Sequence, residues 1–236
     1  MAVSNAAGSI YDRLFVLDLD RCLITDKAYA LLDDVILESG VVDLQLFQEA
    51  RQKREASGGT FDSIGWLSTH GGLDEHLHKE LLDQYIAKAK QLDEDALLAP
   101  GARALITNLT QCSIPHLIMT YGGVAHQEAK IKAAGLEDVP YIIVGHKNKA
   151  LSTNEWWDES AGLYITKLGD HIIQARMVVL IDDKAAAFTG LLPPPLARGY
   201  WVQSIHLLPS QAGEVPENVT PVKKLEDIIE YEALDA

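Results

Sequence analysis

Two cysteines in 236 residues, Cys22 and Cys112, stand in no metal-ligand or redox spacing. A disulfide framework is excluded, and the chain reads as a protein of a reducing compartment, with both thiols free and Cys22 a small packing residue. Long apolar runs are missing as well. None approaches the roughly 20 residues that a membrane-spanning helix needs. The stretch Met1 to Ile10, mostly Ala, Ser and Gly, has neither the positive start nor the apolar centre of a secretion signal. A cytoplasmic protein without a membrane partner is expected. Positive charge is scarce, because 20 Lys and Arg face 34 Asp and Glu, for a formal net charge of -14. Binding nucleic acid requires clustered Lys and Arg against phosphate, so that class is excluded, whereas a local basic pocket for a small anion is not. Internal repeats and long low-complexity tracts are also lacking, which excludes a solenoid.

What is present is enough apolar residue, 47% of the chain, to bury one large core or a core with an inserted subdomain. The stretch Phe15-Val16-Leu17-Asp18-Leu19-Asp20-Arg21-Cys22-Leu23 organises the rest. Its apolar run from Leu14 to Leu17 predicts a strand buried on both faces of a parallel sheet, ending in two aspartates. Further buried strands are predicted at His116–Thr120, Tyr141–Val144, Met177–Ile181 and Tyr200–Gln203.

Between the first and second of these, from about residue 26 to 97, the periodicity is helical throughout. Ala28, Leu31, Leu32, Val35 and Ile36 share one face of a helix over 27–38. A second helix covers about 43–56, a short segment lies around 61–68 between the Ser57-Gly58-Gly59 and Gly71-Gly72 breaks, and another helix starts at Asp74. In the remainder, helices are predicted over 102–110, 124–134, 166–174 and 222–234, with a short one at 185–188 and a stiff extended link at Pro193-Pro194-Pro195. Strands alternating with helices indicate an α/β fold, a doubly wound, Rossmann-like parallel sheet. The division expected is a core of residues 1–25 and 98–236 and a helical insert of 26–97.

Three of the predicted strands end in chemistry: Asp18 and Asp20, then Thr120, then Asp182 and Asp183. In a doubly wound sheet these ends converge on one edge, where such folds bind ligands. Carboxylates gathered without matching bases repel one another unless protons or a hard cation offset the charge. An all-oxygen set suits Mg²⁺, which binds through one or two carboxylates and keeps positions for water and substrate phosphate. His76 and His78, two apart on a helix, share no face and make no metal site.

The pattern resembles the haloacid dehalogenase-like (HAD) hydrolase superfamily. The resemblance covers about residues 12–25 and 98–205. Asp18-Leu19-Asp20-Arg21-Cys22-Leu23 is similar to its first motif, Leu117-Ile118-Met119-Thr120 to its second, and Leu180-Ile181-Asp182-Asp183 to its fourth. The third is a lysine, for which Lys167 is favoured by its distance from Asp182, with Lys147 and Lys149 as competitors. The resemblance implies Asp18 as a nucleophile forming an aspartyl-phosphate and Asp20 as general acid and base. It further implies Thr120 and Lys167 as holders of the phosphoryl group, and Mg²⁺ bound by Asp18, the Asp20 carbonyl, and Asp182 or Asp183. Asp20 separates the chain from dehalogenase-type members, which lack an acid there. Arg21 stands where the family usually has a small residue, often Gly.

The insert's position resembles the family's helical cap, which closes over small substrates, so a small phosphorylated metabolite is expected. Arg51, Lys53, Arg54 and His70 are the cationic candidates on it, read as solvated face residues. Trp156 and Trp157 are read as packing residues. The leading expectation is a Mg²⁺-dependent phosphatase of a small phosphate monoester. The alternatives are a phosphomutase acting on a sugar phosphate and a HAD fold kept as a binding or regulatory module.

Overall fold

The structure is a computed structural model that describes residues 9–56, 61–70, 74–203 and 215–234. The glycine-containing breaks at Ser57-Gly58-Gly59 and Gly71-Gly72, and the stretch before Ser9, lie outside the described residues. The strands in chain order are β1 (Ile10–Leu17), β2 (His116–Tyr121), β3 (Tyr141–Val144), β4 (Trp157–Asp158), β5 (Leu163–Leu168), β6 (His171–Asp182), β7 (Ala197–Val202) and β8 (Val219–Val222).

All the pairings along β3-β2-β1-β6-β7-β8 are parallel. Counted among themselves, these strands run 3-2-1-4-5-6, the doubly wound order whose direction reverses beside β1. Leu14, Phe15, Val16 and Leu17 of β1 are fully buried, as are Leu117 to Met119 and Val178 to Ile181. Side chains alternate along a strand, so a fully buried run means that both faces of the sheet are covered. The fold is α/β with a Rossmann-like parallel core.

The described chain divides into two units. The first holds residues up to Ile24, Leu98–Tyr121 and the chain from Asp138 onward. It contains the whole sheet with helices α5 (Ala102–Gln111), α7 (Lys149–Asn154) and α8 (Glu226–Tyr231). Leu14, Val16, Leu117, Met119, Val178, Leu180 and Phe188 join in one apolar cluster on one face. The buried Glu232 ties the end of the chain to the sheet through Arg13 Nη1 at 2.5 Å, Arg198 Nη1 at 2.8 Å and Tyr200 Oη at 2.6 Å.

The second unit comprises Thr25–Leu97 and Gly122–Glu137. Its described residues form helices α1 (Asp26–Glu38), α2 (Leu44–Ala56), α3 (Ser63–His70), α4 (Glu75–Ala89) and α6 (Val124–Ala133), with no strand among them. Phe47 meets Phe61 and Trp66 edge-on at ring separations of 5.3 and 5.6 Å, inside a cluster with Leu32, Ile36, Leu67 and Leu81. Helix α6 follows β2 in the chain, yet Ala129 packs into this same cluster, so α6 stands with the insert's helices. No described helix is long and apolar enough to cross a membrane.

One predicted helix is absent and another is shortened. Residues 166–174 form an antiparallel hairpin, in which Lys167 pairs with Ile172 and Leu168 with His171. Gly169, at φ +59°, makes the turn, and the preceding Leu163-Tyr164-Ile165-Thr166 is rich in the β-branched and aromatic residues that favour strands. The C-terminal helix is likewise shorter than 222–234, because Val219–Val222 pairs with β7 and leaves only Glu226–Tyr231 helical. Pro193 to Leu196 closes as a turn rather than an extended link, with the Leu196 N–H donating to the Pro193 carbonyl at 2.9 Å.

Candidate active site

Register alone brings the acids together. Leu17 pairs with Ile181 across the parallel ladder, and the Asp18 N–H extends that ladder to the Ile181 carbonyl at 2.9 Å. Asp18 and Asp182 are therefore neighbours at the carboxyl end of the sheet, where the strand order reverses. On the other side Leu17 pairs with Ile118, which sets the fully buried Thr120 at the same edge.

Beyond Asp18 the chain turns at once. The N–H groups of Leu23 and Ile24 both bind the Leu19 carbonyl at 3.0 Å, a loop that begins with the half-buried Asp20. Arg21 holds φ +64° in this turn, a left-handed conformation that is free for glycine and unfavourable for other residues. The local geometry thus explains why a small residue suits this place, and Arg21 adopts it nonetheless.

Asp18, Asp182 and Asp183 are all buried, and each offers a carboxylate oxygen within 4.8 Å of the others. Lys149, also buried, donates to Asp18 Oδ1 and, at 2.5 Å, to Asp182 Oδ2. It opens α7 directly after the Asn148 cap. Asn148 Nδ2 and Asn154 Nδ2 bind the Thr189 and Gly190 carbonyls at 2.9 and 2.8 Å, which stitches α7 to the segment following the acid pair. Lys184, next in the chain after that pair, places Nζ 3.7 Å from Asp183 Oδ1. The signal for it in the sequence is its place directly after Asp182-Asp183.

The electrostatics follow from burial. Loss of water raises Asp18 well above the usual carboxylate range, Asp182 raises it further, and Lys149 opposes them. Burial likewise pushes Asp183 up to about 6, against the pull of Lys184 and Arg21. Burial alone would depress Lys149, but the carboxylates of Asp18 and Asp182 outweigh it and hold the ammonium above the ordinary lysine value. Burial and the same acids raise the Cys22 thiol, so it stays protonated and inert.

Lys167 does not join this group. It is exposed on β5 and pairs with Ile172, near the start of β6, whereas Asp182 ends that strand. Ten residues of strand at about 3.3 Å each separate the two by about 30 Å along β6. The position expected of Lys167 is taken by Lys149, and the reason is the hairpin that stands where a helix was predicted. Lys147 is exposed on the turn before α7, its Nζ 5.8 Å from the centre of the Tyr121 ring. Within the second unit, Arg51 is engaged with the buried Asp33, which also accepts from Ser63 Oγ at 2.6 Å, and His70 stacks on Trp66 at 5.0 Å. Trp157 packs against Tyr164 at 5.1 Å.

The residues present fit a hard cation. Asp18 Oδ2 and Asp183 Oδ1 are buried and have no hydrogen-bond partner, an arrangement that is costly unless a proton or a metal completes it. The donor set is all oxygen, the chemistry that Mg²⁺ takes.

No protein-family model matches the sequence, and no curated protein matches it. Solved structures do share its fold. A candidate haloacid dehalogenase-like hydrolase from Burkholderia xenovorans is 19% identical over 94% of this chain and 97% of its own, with a TM-score of 0.60. The candidate HAD-hydrolase YfnB from Bacillus subtilis, solved bound to magnesium, is 18% identical over 97% and 100%, with a TM-score of 0.54. CbbY from Rhodobacter sphaeroides, solved with xylulose-1,5-bisphosphate, is 14% identical over 91% and 95%, with a TM-score of 0.52. The chain has the fold of the HAD-superfamily hydrolases.

Proposed function

We propose that the protein is a Mg²⁺-dependent hydrolase of a small phosphate monoester, acting through an aspartyl-phosphate on Asp18. The observation that carries this reading is the placement of Asp18. It ends a central strand at the point of strand-order reversal, and it is buried against Lys149 and two further acids.

Asp18 supplies the attacking carboxylate oxygen. A new bond forms from that oxygen to phosphorus as the bond from phosphorus to the ester oxygen breaks, and Asp20 gives the leaving oxygen its proton. Water then attacks the phosphorus of the aspartyl-phosphate and yields a proton to Asp20, which releases inorganic phosphate and restores Asp18. Lys149 and Thr120 bind the transferring group, the lysine as a point cation in a site that excludes water. Asp18, Asp182, Asp183 and the Asp20 carbonyl would hold the Mg²⁺, which supplies positive charge against the phosphoryl oxygens and against the crowded acids. That charge would favour the ionised, nucleophilic form of Asp18, which burial and Asp182 otherwise disfavour. The helical insert is the cap in this reading, and it favours a small metabolite over a phosphoprotein.

A screen of phosphorylated metabolites with and without Mg²⁺ tests the proposal, with released phosphate as the readout. Sugar phosphates are its first members, since CbbY was solved with a sugar bisphosphate. Turnover of at least one monoester only in the presence of Mg²⁺ is expected. Absence of turnover across the panel, with Mg²⁺ bound, would favour the binding-module reading, and transfer to a sugar hydroxyl without release of phosphate would favour a mutase.

A further inference from the structure

Lys184 is a cation at the site for which the proposed chemistry has no use. Its backbone N–H binds Asp182 Oδ1 at 2.8 Å, and its side chain carries Nζ to 3.7 Å from Asp183 Oδ1. That oxygen is one of the two buried carboxylate oxygens without a hydrogen-bond partner. At this separation the ammonium balances charge without making a hydrogen bond, so the oxygen's lone pairs remain available to another ligand.

The two lysines of the site differ in what their departure would cost. The Lys149 side chain is 5% exposed and hydrogen-bonded to two carboxylates, so it is part of the buried structure. The Lys184 side chain is 42% exposed, and its Asp183 partner is 2% exposed. Lys184 can therefore swing into water on its flexible stem and leave no cavity and no stranded ammonium behind. A dication held by Asp183 and an ammonium beside the same oxygen repel each other, so both cannot stay at low cost.

We propose that Lys184 is a tethered counter-cation, which balances Asp183 until Mg²⁺ binds and is released when it does, so that this competition sets the metal affinity. The proposal rests on the reading of Asp18, Asp182 and Asp183 as a Mg²⁺ site. It accounts for how so many acids coexist before the metal arrives. It also gives Lys184 a role through Asp183, with no contact to substrate required.

Calorimetric titration of the full chain with Mg²⁺, for the wild type, Lys184→Gln and Lys184→Arg, decides the matter. The Coulomb energy of unit charges at this separation is about 1 kcal/mol in water and about twice that where water is partly excluded. Lys184→Gln should accordingly bind Mg²⁺ between about fivefold and thirtyfold more tightly, and Lys184→Arg should stay close to wild type. In EDTA, Lys184→Gln should melt below wild type, and the difference should close in saturating Mg²⁺. If the wild type binds Mg²⁺ and Lys184→Gln binds it equally or more weakly, the competition is overturned while the metal site stands. If no variant binds Mg²⁺, both readings fall.

Discussion

Lys149 Nζ lies 2.5 Å from Asp182 Oδ2, although 33 residues separate the two in the chain. The contact joins the start of a short helix to the end of a buried strand, and the same ammonium also holds Asp18, 131 residues away. Charge-assisted contacts in so dry a place are stronger than their surface counterparts, and removing one partner leaves an uncompensated charge. This lysine thus ties two of the site's acids to each other.

Replacement of Lys149 by Met should thus lower kcat by about 10²- to 10³-fold against an aryl phosphate, with a loss of stability from the unpaired acids. The exposed Lys167→Met should stay within about twofold of wild type. Equal losses from the two variants, measured side by side, would contradict the proposal that Lys149 binds the phosphoryl group.

Asp18→Asn keeps the size of the side chain and removes the attacking oxygen. Turnover should fall by at least about 10³-fold, with a far-ultraviolet circular dichroism spectrum and a melting temperature no lower than those of wild type. The thermal result has its own reason, because an amide at this buried position relieves repulsion from Asp182.

Metal removal should be visible without any substrate. At 100 times its dissociation constant, a ligand that binds only the folded state adds about 2.7 kcal/mol. For a chain of this size that corresponds to roughly 5 to 10 °C in melting temperature. A Mg²⁺-dependent rise of this order should be lost on adding EDTA and should be much reduced in Asp183→Asn, monitored by thermal scanning.

Alkaline pH should weaken the tie between the chain end and the sheet. Burial and the hydrogen bond to Glu232 push the Tyr200 hydroxyl up to about 12, above its ordinary value of 10.0. The folded state then keeps a proton that the unfolded chain gives up, so this contribution to stability is complete below pH 10 and is lost as pH rises through 12. Urea midpoints at pH 9 and pH 11 should fall less steeply for Tyr200→Phe than for wild type. Some decline should remain, since burial raises Tyr164 to about 12 as well.

The turn after Asp18 shows how local and tertiary information divide. A run such as Leu14 to Leu17 reports a strand covered on both faces because burial on two sides requires apolar residues at every position. The same holds for Leu117 to Met119 and Val178 to Ile181, and their polar ends announced a shared edge. The doubly wound core, the acids and the helical character of the insert were therefore legible in the residues themselves. The hairpin at 163–173 was not, because short apolar runs on either side of one Gly-Asp turn fit a helix pattern nearly as well as a strand pattern.

From the sequence alone come the apolar strands, the carboxylates that end them, and the scarcity of base that calls for a cation. Tertiary structure alone decided which lysine stands among those acids. Lys147, Lys149 and Lys167 look alike along the chain, since each is a long cation in a polar neighbourhood. Their separation arises from pairings between distant segments: α7, tied to Thr189 and Gly190, sets Lys149 beside Asp18 and Asp182, and the β5–β6 register carries Lys167 to the far end of β6. Register is a property of pairs of distant segments, and no window of adjacent residues contains it.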